Sequence, residues 1–359
     1  MTLAATIVTS DACRLHEPLA EIWLGTRTVG TEVPERADAI VAATRAAGAP
    51  HVSAEPHDDA VLERVHDRGF LDYLSGAWDA WVSAGFPADP GRDRVVPYVF
   101  PSPGLRGSLP VREDVAPHAL GGRYCYDTMT LIGPGTWQAA RAAVDVALTA
   151  VDLVVGGEPT AYALCRPPGH HASRQGFGGS CYLNNAAVSA EALRSAGFER
   201  VAVLDVDAHH GNGTQALFYP RGDVFYGSVH VDPGAGWFPH YVGYADERGD
   251  AGGVGANLNV PLAPGTADDG WLGGVAQLRD TAANFRCDAV VLSLGVDAAA
   301  DDPESPLQVS VDGYRAAGEL VASLGVPCVA VQEGGYHLDT LGTLVVATLE
   351  GLASTRSAA

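Results

Sequence analysis

The stretch 201–214, VAVLDVDAHHGNGT, limits the fold of this chain more than any other. It opens with an apolar, β-branched run of the kind that fills a strand buried on both faces of a parallel sheet, and it ends in charge. Side chains alternate along an extended strand, so Asp205, Asp207 and, if the extension persists, His209 point the same way. Two carboxylates and an imidazole at the end of a buried strand cost too much desolvation to serve as packing residues. Asp-x-His at that point reads as a pair of metal ligands. Gly211 and Gly213 then let the chain turn into a helix. A solvated acidic turn is the plain alternative, and the rest of the chain weighs against it.

Strand and helix alternate along the sequence. Residues 4–9 read as a first strand, and 34–47 as a helix with Pro34 at its first turn and Gly48 past its end. Phe70, Tyr73, Leu74, Ala77, Trp78 and Trp81 recur at helical spacing, as a core or interface stripe. Helices are expected over 136–155, 183–196, 268–285, 311–324 and 338–352. Strands are expected over 162–165, 224–230, 289–296 and 327–332, with a Gly-rich loop at 232–255. Between residues 86 and 123, seven prolines break any helix and demote any strand. A connection that long is expected to be a binding loop, a lid or an interface arm. The alternation resumes directly after it, with no repeat and no low-complexity linker. The expectation is one domain, 1–359, built on an open, mainly parallel sheet flanked by helices on both faces.

Composition excludes several partners. A formal net charge of −21 argues against nucleic acid and anionic membranes, which need a basic face, and is compatible with cationic substrates. The six cysteines, at 13, 125, 165, 181, 287 and 328, occur singly with no C-x-x-C, as expected of reduced thiols in a cytoplasmic protein. The opening MTLAATIVTSDAC lacks a basic segment and a long apolar core, so neither a signal peptide nor a membrane span is expected.

In open α/β sheets ligands bind beyond the carboxyl ends of the strands. Four such ends carry reactive groups here: His170-His171, Asp207 with His209, Asp297, and Tyr336 after a Gly-Gly turn. Singly, each has a plain reading as a surface pair, a helix cap or a buried ring. Four on one rim point to a metal site. Asp207, His209 and Asp297 offer two oxygens and a nitrogen and leave a coordination position for water and substrate, as catalytic zinc sites do. Fe²⁺, Co²⁺ or Mn²⁺ suit the same donors.

RPPGHH at 166–171, GGSCYLNNAA at 178–187, DVDAHHGNGTQ at 205–215, SLGVD…DP at 293–303 and EGGY at 333–336 resemble the arginase–deacetylase superfamily. Within it the chain is similar to class II histone deacetylases and, above all, to acetylpolyamine amidohydrolases. The resemblance implies a zinc-dependent deacetylase with one catalytic Zn²⁺ on Asp207, His209 and Asp297. It makes His171 the general base and acid, His170 its electrostatic partner and Tyr336 the hydroxyl that polarises the substrate carbonyl. It further implies a structural K⁺ at Asp205 and Ser228, with backbone oxygens around Asp207, His209 and Val229. Asp205 also stands beneath His170, and Asn212 behind His171, where a carboxylate would make the imidazole more basic. Gly179 would accept the scissile amide N–H through its carbonyl, and Phe238 would wall the acyl channel.

Two positions depart from the pattern. Ser180 stands where relatives carry an aromatic wall, and His118 falls where polyamine enzymes place an acidic residue in the long loop. Both predict a shifted specificity, so that a bulkier or aromatic amide rivals acetylpolyamines. N-acyl-lysine peptides and secondary-metabolite amides are the rival substrates. The resemblance also implies a homodimer in which loop 86–123 reaches the channel mouth. A ureohydrolase would need further carboxylates, and Gly211 occupies the place of one of them. A non-catalytic binding protein would have no use for His171 and Tyr336 together.

Overall fold

The computed structural model describes residues 3–112 and 115–354. In chain order the first half runs β1 (Thr6–Thr9), β2 (Glu21–Trp23), β3 (Thr26–Thr28), α1 (Glu35–Ala46), β4 (His51–Ser53), α2 (Leu62–Val65), α3 (Arg68–Ser83), α4 (Pro103–Arg106), α5 (Pro117–Tyr124), α6 (Thr136–Val155) and β5 (Thr160–Ala163). There follow α7 (Asn185–Ser195), β6 (Val201–Asp205), α8 (Asn212–Phe218), β7 (Val224–Val231), β8 (Asn257–Leu262), α9 (Asp268–Phe285), β9 (Ala289–Leu294), α10 (Val311–Ala322), β10 (Cys328–Gln332) and α11 (Leu338–Ser354).

Eight of the strands form one sheet in the order β4-β1-β5-β10-β9-β6-β7-β8, parallel at every pairing. Each central strand feeds both faces alternately. On β6, Val201 and Val203 join a core with α3, α6 and α7, whereas Ala202 and Leu204 join a core with α9, α10 and α11. On β9, Ala289 and Val291 face the first of these cores and Val290, Leu292 and Leu294 the second. Burial on both faces explains why these strands read as unbroken apolar runs. The four strands β5, β10, β9 and β6 are neighbours, and from their carboxyl ends issue His170-His171, Tyr336, Asp297 and Asp207. Sheet order alone therefore gathers the four reactive ends.

The structure differs from the sequence expectations in three places. β8 lies between the Gly-rich loop 232–255 and the helix 268–285, where the sequence suggests no element because NLNVPL interleaves two asparagines and ends near a proline. It is the sheet's last strand, where proline is tolerated, and the Asn257 and Asn259 amides both donate to Gln215 Oε1. The antiparallel pair β2–β3 was too short to show any period. The proline-rich segment 86–123 is not free of helix, since Pro103 and Pro117 stand in the first turns of α4 and α5, where a missing N–H costs nothing.

Among the described residues, no helix is long and apolar enough to cross a membrane. All six cysteines are buried, and none is in a disulfide.

Candidate active site

β6 ends at Asp205, and the chain leaves the extended conformation before His209. The alternation argument therefore does not carry through to His209. A tight turn does the work instead, and it splits the acidic pair. Asp205 stays below, and Asp207 turns toward Asp297.

Backbone donors aim the two upper carboxylates. Asp207 Oδ1 accepts the His209 N–H at 2.8 Å and its Oδ2 the Gly334 N–H at 2.8 Å, while Asp297 Oδ1 accepts the Ala208 N–H at 2.7 Å. His209 Nδ1 then lies 3.0 Å from Asp297 Oδ2 and 3.3 Å from Asp207 Oδ1. The two carboxylates are fully buried and His209 is 14% exposed, so the trio has one open side. Burial disfavours charge on His209, but hydrogen bonds to Asp207 and Asp297 raise its pKa well above the usual value. Burial and the neighbouring Asp207 push Asp297 up to about 7. The donor chemistry of this trio suits a cation. Its one nitrogen and two carboxylates, with ligand atoms within 4.8 Å of one another, fit a single divalent ion.

A second group, His170, Cys181 and Glu333, also brings ligand atoms within 4.8 Å, but its carboxylate is already engaged. Glu333 Oε2 accepts the Gly169 and His170 N–H groups at 2.7 and 3.1 Å, and Oε1 the Ser293 hydroxyl at 2.8 Å. Glu333 thus pins the loop that carries both histidines. Burial raises its pKa to about 7, with His170 opposing.

The tandem histidines have opposite surroundings. His170 Nδ1 donates to Asp205 Oδ2 at 3.0 Å, and the same oxygen accepts the Tyr226 hydroxyl at 3.0 Å. Burial works against a charged His170, yet Asp207 and Asp205 raise its pKa to about 10. His171 Nδ1 is 2.7 Å from Asn212 Oδ1, an acceptor that carries no charge. Burial, then the neighbouring His170 and His209, hold the His171 pKa well below its usual value. One imidazole is kept charged and the next kept neutral.

Tyr336 is placed by Asp302 of the SLGVD…DP motif and by Glu32 and Arg36, which lie outside every motif. The Tyr336 N–H donates to Asp302 Oδ2 at 2.7 Å. Arg36 of α1, buried, stacks its guanidinium over the Tyr336 ring at 4.7 Å and donates to the carbonyls of Gly335 and Glu333, both at 2.6 Å. Glu32 Oε1 accepts from both Arg36 (2.8 Å) and Arg166 (3.0 Å), tying the EGGY turn to the RPPGHH loop. Burial raises the Tyr336 pKa well above the usual value, which keeps the phenol a donor.

Gly179 has φ +55°, and a Cβ there would overlap the His171 ring and come within 2.9 Å of Phe238. Only glycine fits so close an approach. The Phe238 ring meets His171 edge-on, with centroids 4.8 Å apart. Ser180 is half-buried beside them, its N–H donating to Thr130 Oγ1 at 2.9 Å. Ser228 lies directly across from Asp205 on β7, and its hydroxyl is 2.8 Å from His230 Nδ1; Val229 follows it, buried. His118, on α5, rests between Phe86 and Tyr98, with centroids at 5.2 and 5.9 Å, and does not line the cavity beside Phe238. That cavity, about 590 Å³, also meets Asn212, Phe100 of the proline-rich segment and Trp23 of the β2–β3 hairpin.

The histone deacetylase domain model matches residues 30–352. The chain belongs to the histone deacetylase family. It is 39% identical to an acetylpolyamine amidohydrolase of Mycoplana ramosa over 348 residues, which cover 97% of this chain and 99% of that protein. It is 42% identical to acetylpolyamine amidohydrolase 1 of Pseudomonas aeruginosa over 349 residues, covering 96% of this chain and 97% of the relative. The crystal structure of an acetylpolyamine aminohydrolase from Burkholderia pseudomallei superposes with a TM-score of 0.91 at 38% identity, over 98% of this chain and 99% of that one. The fold and the deacetylase class of this hydrolase rest on these matches together.

Proposed function

We propose that the chain hydrolyses the amide of a small N-acetylated amine, acetylpolyamines among them, with one Zn²⁺ held by Asp207, His209 and Asp297. The observation that carries this reading is the pairing of the acidic trio with a neutral imidazole, His171, behind an aromatic-lined cavity. When bound, such an ion supplies Lewis acidity toward a carbonyl oxygen and an activated water at neutral pH. Fe²⁺ and Co²⁺ satisfy the same donors, and metal analysis of the purified protein distinguishes them.

The chain's own groups do the rest. With Nδ1–H given to Asn212, His171 presents Nε2 to take the proton of the attacking water and return it to the leaving nitrogen. The Tyr336 hydroxyl donates to the oxygen that gains charge as water adds to the carbonyl. The charged His170 beside it disfavours a second positive charge on His171, so the proton is passed on. The Gly179 carbonyl accepts the amide N–H and fixes the substrate's plane.

Three further assignments belong to the same reading. Asp205 and Ser228, paired across β6 and β7, are where a K⁺ would sit with backbone oxygens around Val229. Tyr98, Leu105 and Leu109 of the proline-rich segment expose apolar surface that suits burial in a homodimer. Sedimentation of a fully active monomer at nanomolar concentration would refute that pairing. The buried thiols and the acidic charge suit a cytoplasmic enzyme with no nucleic-acid or membrane partner.

The test is acetate release. Purified protein with N-acetylputrescine, an acetyl-lysine peptide and an acetyl arylamide in one buffer separates the substrate classes, and no turnover of any of them rejects the reading.

A further inference from the structure

Phe238 is not the only ring fixed beside the catalytic loop. Tyr126 lies nearly parallel to it, at an interplanar angle of 16° and 6.4 Å between centroids. A Cβ at Gly178 would overlap the Tyr126 ring, as one at Gly179 would overlap His171 and crowd Phe238. The Gly178-Gly179 backbone therefore passes directly beneath two side-by-side rings.

The Tyr126 ring is held at its far end as well. Its hydroxyl donates to the His171 carbonyl at 2.9 Å and accepts from Asn212 Nδ2 at 3.4 Å. Its backbone N–H donates to the Phe177 carbonyl at 3.1 Å. Anchored at both ends, Tyr126 is still 40% exposed as a residue, and it lines the 590 Å³ cavity together with Phe238. Ser180, on the same turn, offers only a hydroxymethyl group, so Tyr126 supplies the aromatic surface on the side of the cavity opposite Phe238.

The carboxylate oxygens at this cavity are taken up by neutral donors of the chain. Asp127 is the one acidic residue among those lining it. Its Oδ1 accepts from the N–H groups of Met129 and Thr130, both at 2.9 Å, and its Oδ2 from the Gly179 N–H at 2.6 Å and the Thr130 hydroxyl at 3.1 Å. A distal ammonium entering here meets rings and no free carboxylate.

We propose that Tyr126 is a specificity-determining residue that forms, with Phe238, an aromatic platform for the amine half of the substrate, and that this platform selects N-acetylated arylalkylamines over N-acetylated diamines. The inference rests on the deacetylase reading above. Flat or apolar groups stack on two fixed rings at little entropic cost, whereas an aliphatic diamine must desolvate its second ammonium beside a carboxylate whose oxygens already accept four hydrogen bonds.

The experiment compares wild type, Tyr126→Phe and Tyr126→Leu on N-acetylphenethylamine and N-acetylputrescine. Tyr126→Leu is expected to raise KM about tenfold for the aryl substrate and less than about threefold for the diamine, in line with loss of one aromatic contact. Tyr126→Phe, which keeps the ring and loses the bond to His171, is expected to lower kcat on both substrates with KM unchanged. Equal KM changes for the two substrates in Tyr126→Leu overturn the proposal. Should Tyr126→Leu fail to fold, calorimetric titration of wild-type protein decides. Phenethylamine binding at least tenfold more tightly than putrescine supports the platform, and equal or weaker binding overturns it. Wild-type protein that releases acetate from neither substrate rejects the deacetylase reading instead, while the amine titration still reports on the platform.

Discussion

Asn212 Oδ1 lies 2.7 Å from His171 Nδ1, and that one contact orients the imidazole without charging it. A neutral amide holds the ring's tautomer, whereas a carboxylate would also stabilise the imidazolium. Burial and two neighbouring histidines already hold the His171 pKa low. Proton abstraction requires the neutral ring, so the rate falls as pH drops through the His171 pKa. Asn212→Asp is expected to raise that pKa and move the acidic limb of the kcat/KM profile to higher pH by about one unit or more. A limb that stays in place would show that His171 does not titrate it.

In the proposed mechanism the Tyr336 hydroxyl donates to the developing oxyanion. Tyr336→Phe is expected to lower kcat by about 10²–10³, the usual effect of losing one such donor, with an unchanged melting temperature. Near wild-type turnover would reduce Tyr336 to a buried ring.

Arg36 holds the turn that presents Tyr336, through two carbonyls, the ring face and Glu32. Removing Arg36 leaves Glu32 paired with Arg166 but strips the buried Gly335 and Glu333 carbonyls of a charged donor, at about 1.5–3 kcal/mol for each bond. Arg36→Met is expected to lower both the melting temperature and kcat. A variant as stable as wild type would contradict this account of the turn.

Asp297→Asn keeps the shape of a ligand and removes its charge. Metal retained after dialysis is expected to fall from about one ion per chain to a small fraction of that, with activity falling in parallel. Two tightly held transition-metal ions per wild-type chain would contradict a single site.

The sheet and the catalytic set were legible because both depend on local pattern. Apolar runs ending in Asp205, Asp297 and Glu333 mark strands buried on both faces, and reactive groups at their ends mark the rim. What escaped depends on tertiary contact. Arg36 sits on an ordinary amphipathic helix, and its role appears only when Gly335 and Glu333 arrive some three hundred residues later. Tyr126 follows a proline-rich stretch and becomes part of the site only by packing on Gly178. β8 was hidden by Asn257 and Asn259, which are polar for the sake of Gln215. The sequence places His118 in the long loop, and only the fold shows its ring resting between Phe86 and Tyr98.

The most direct test of the account is acetate release from an N-acetylated amine by metal-stripped protein titrated with Zn²⁺. The account predicts no turnover without metal and recovery that saturates at about one equivalent per chain. Full activity in the stripped protein, or none on any acetylated amine once the metal is restored, would contradict it.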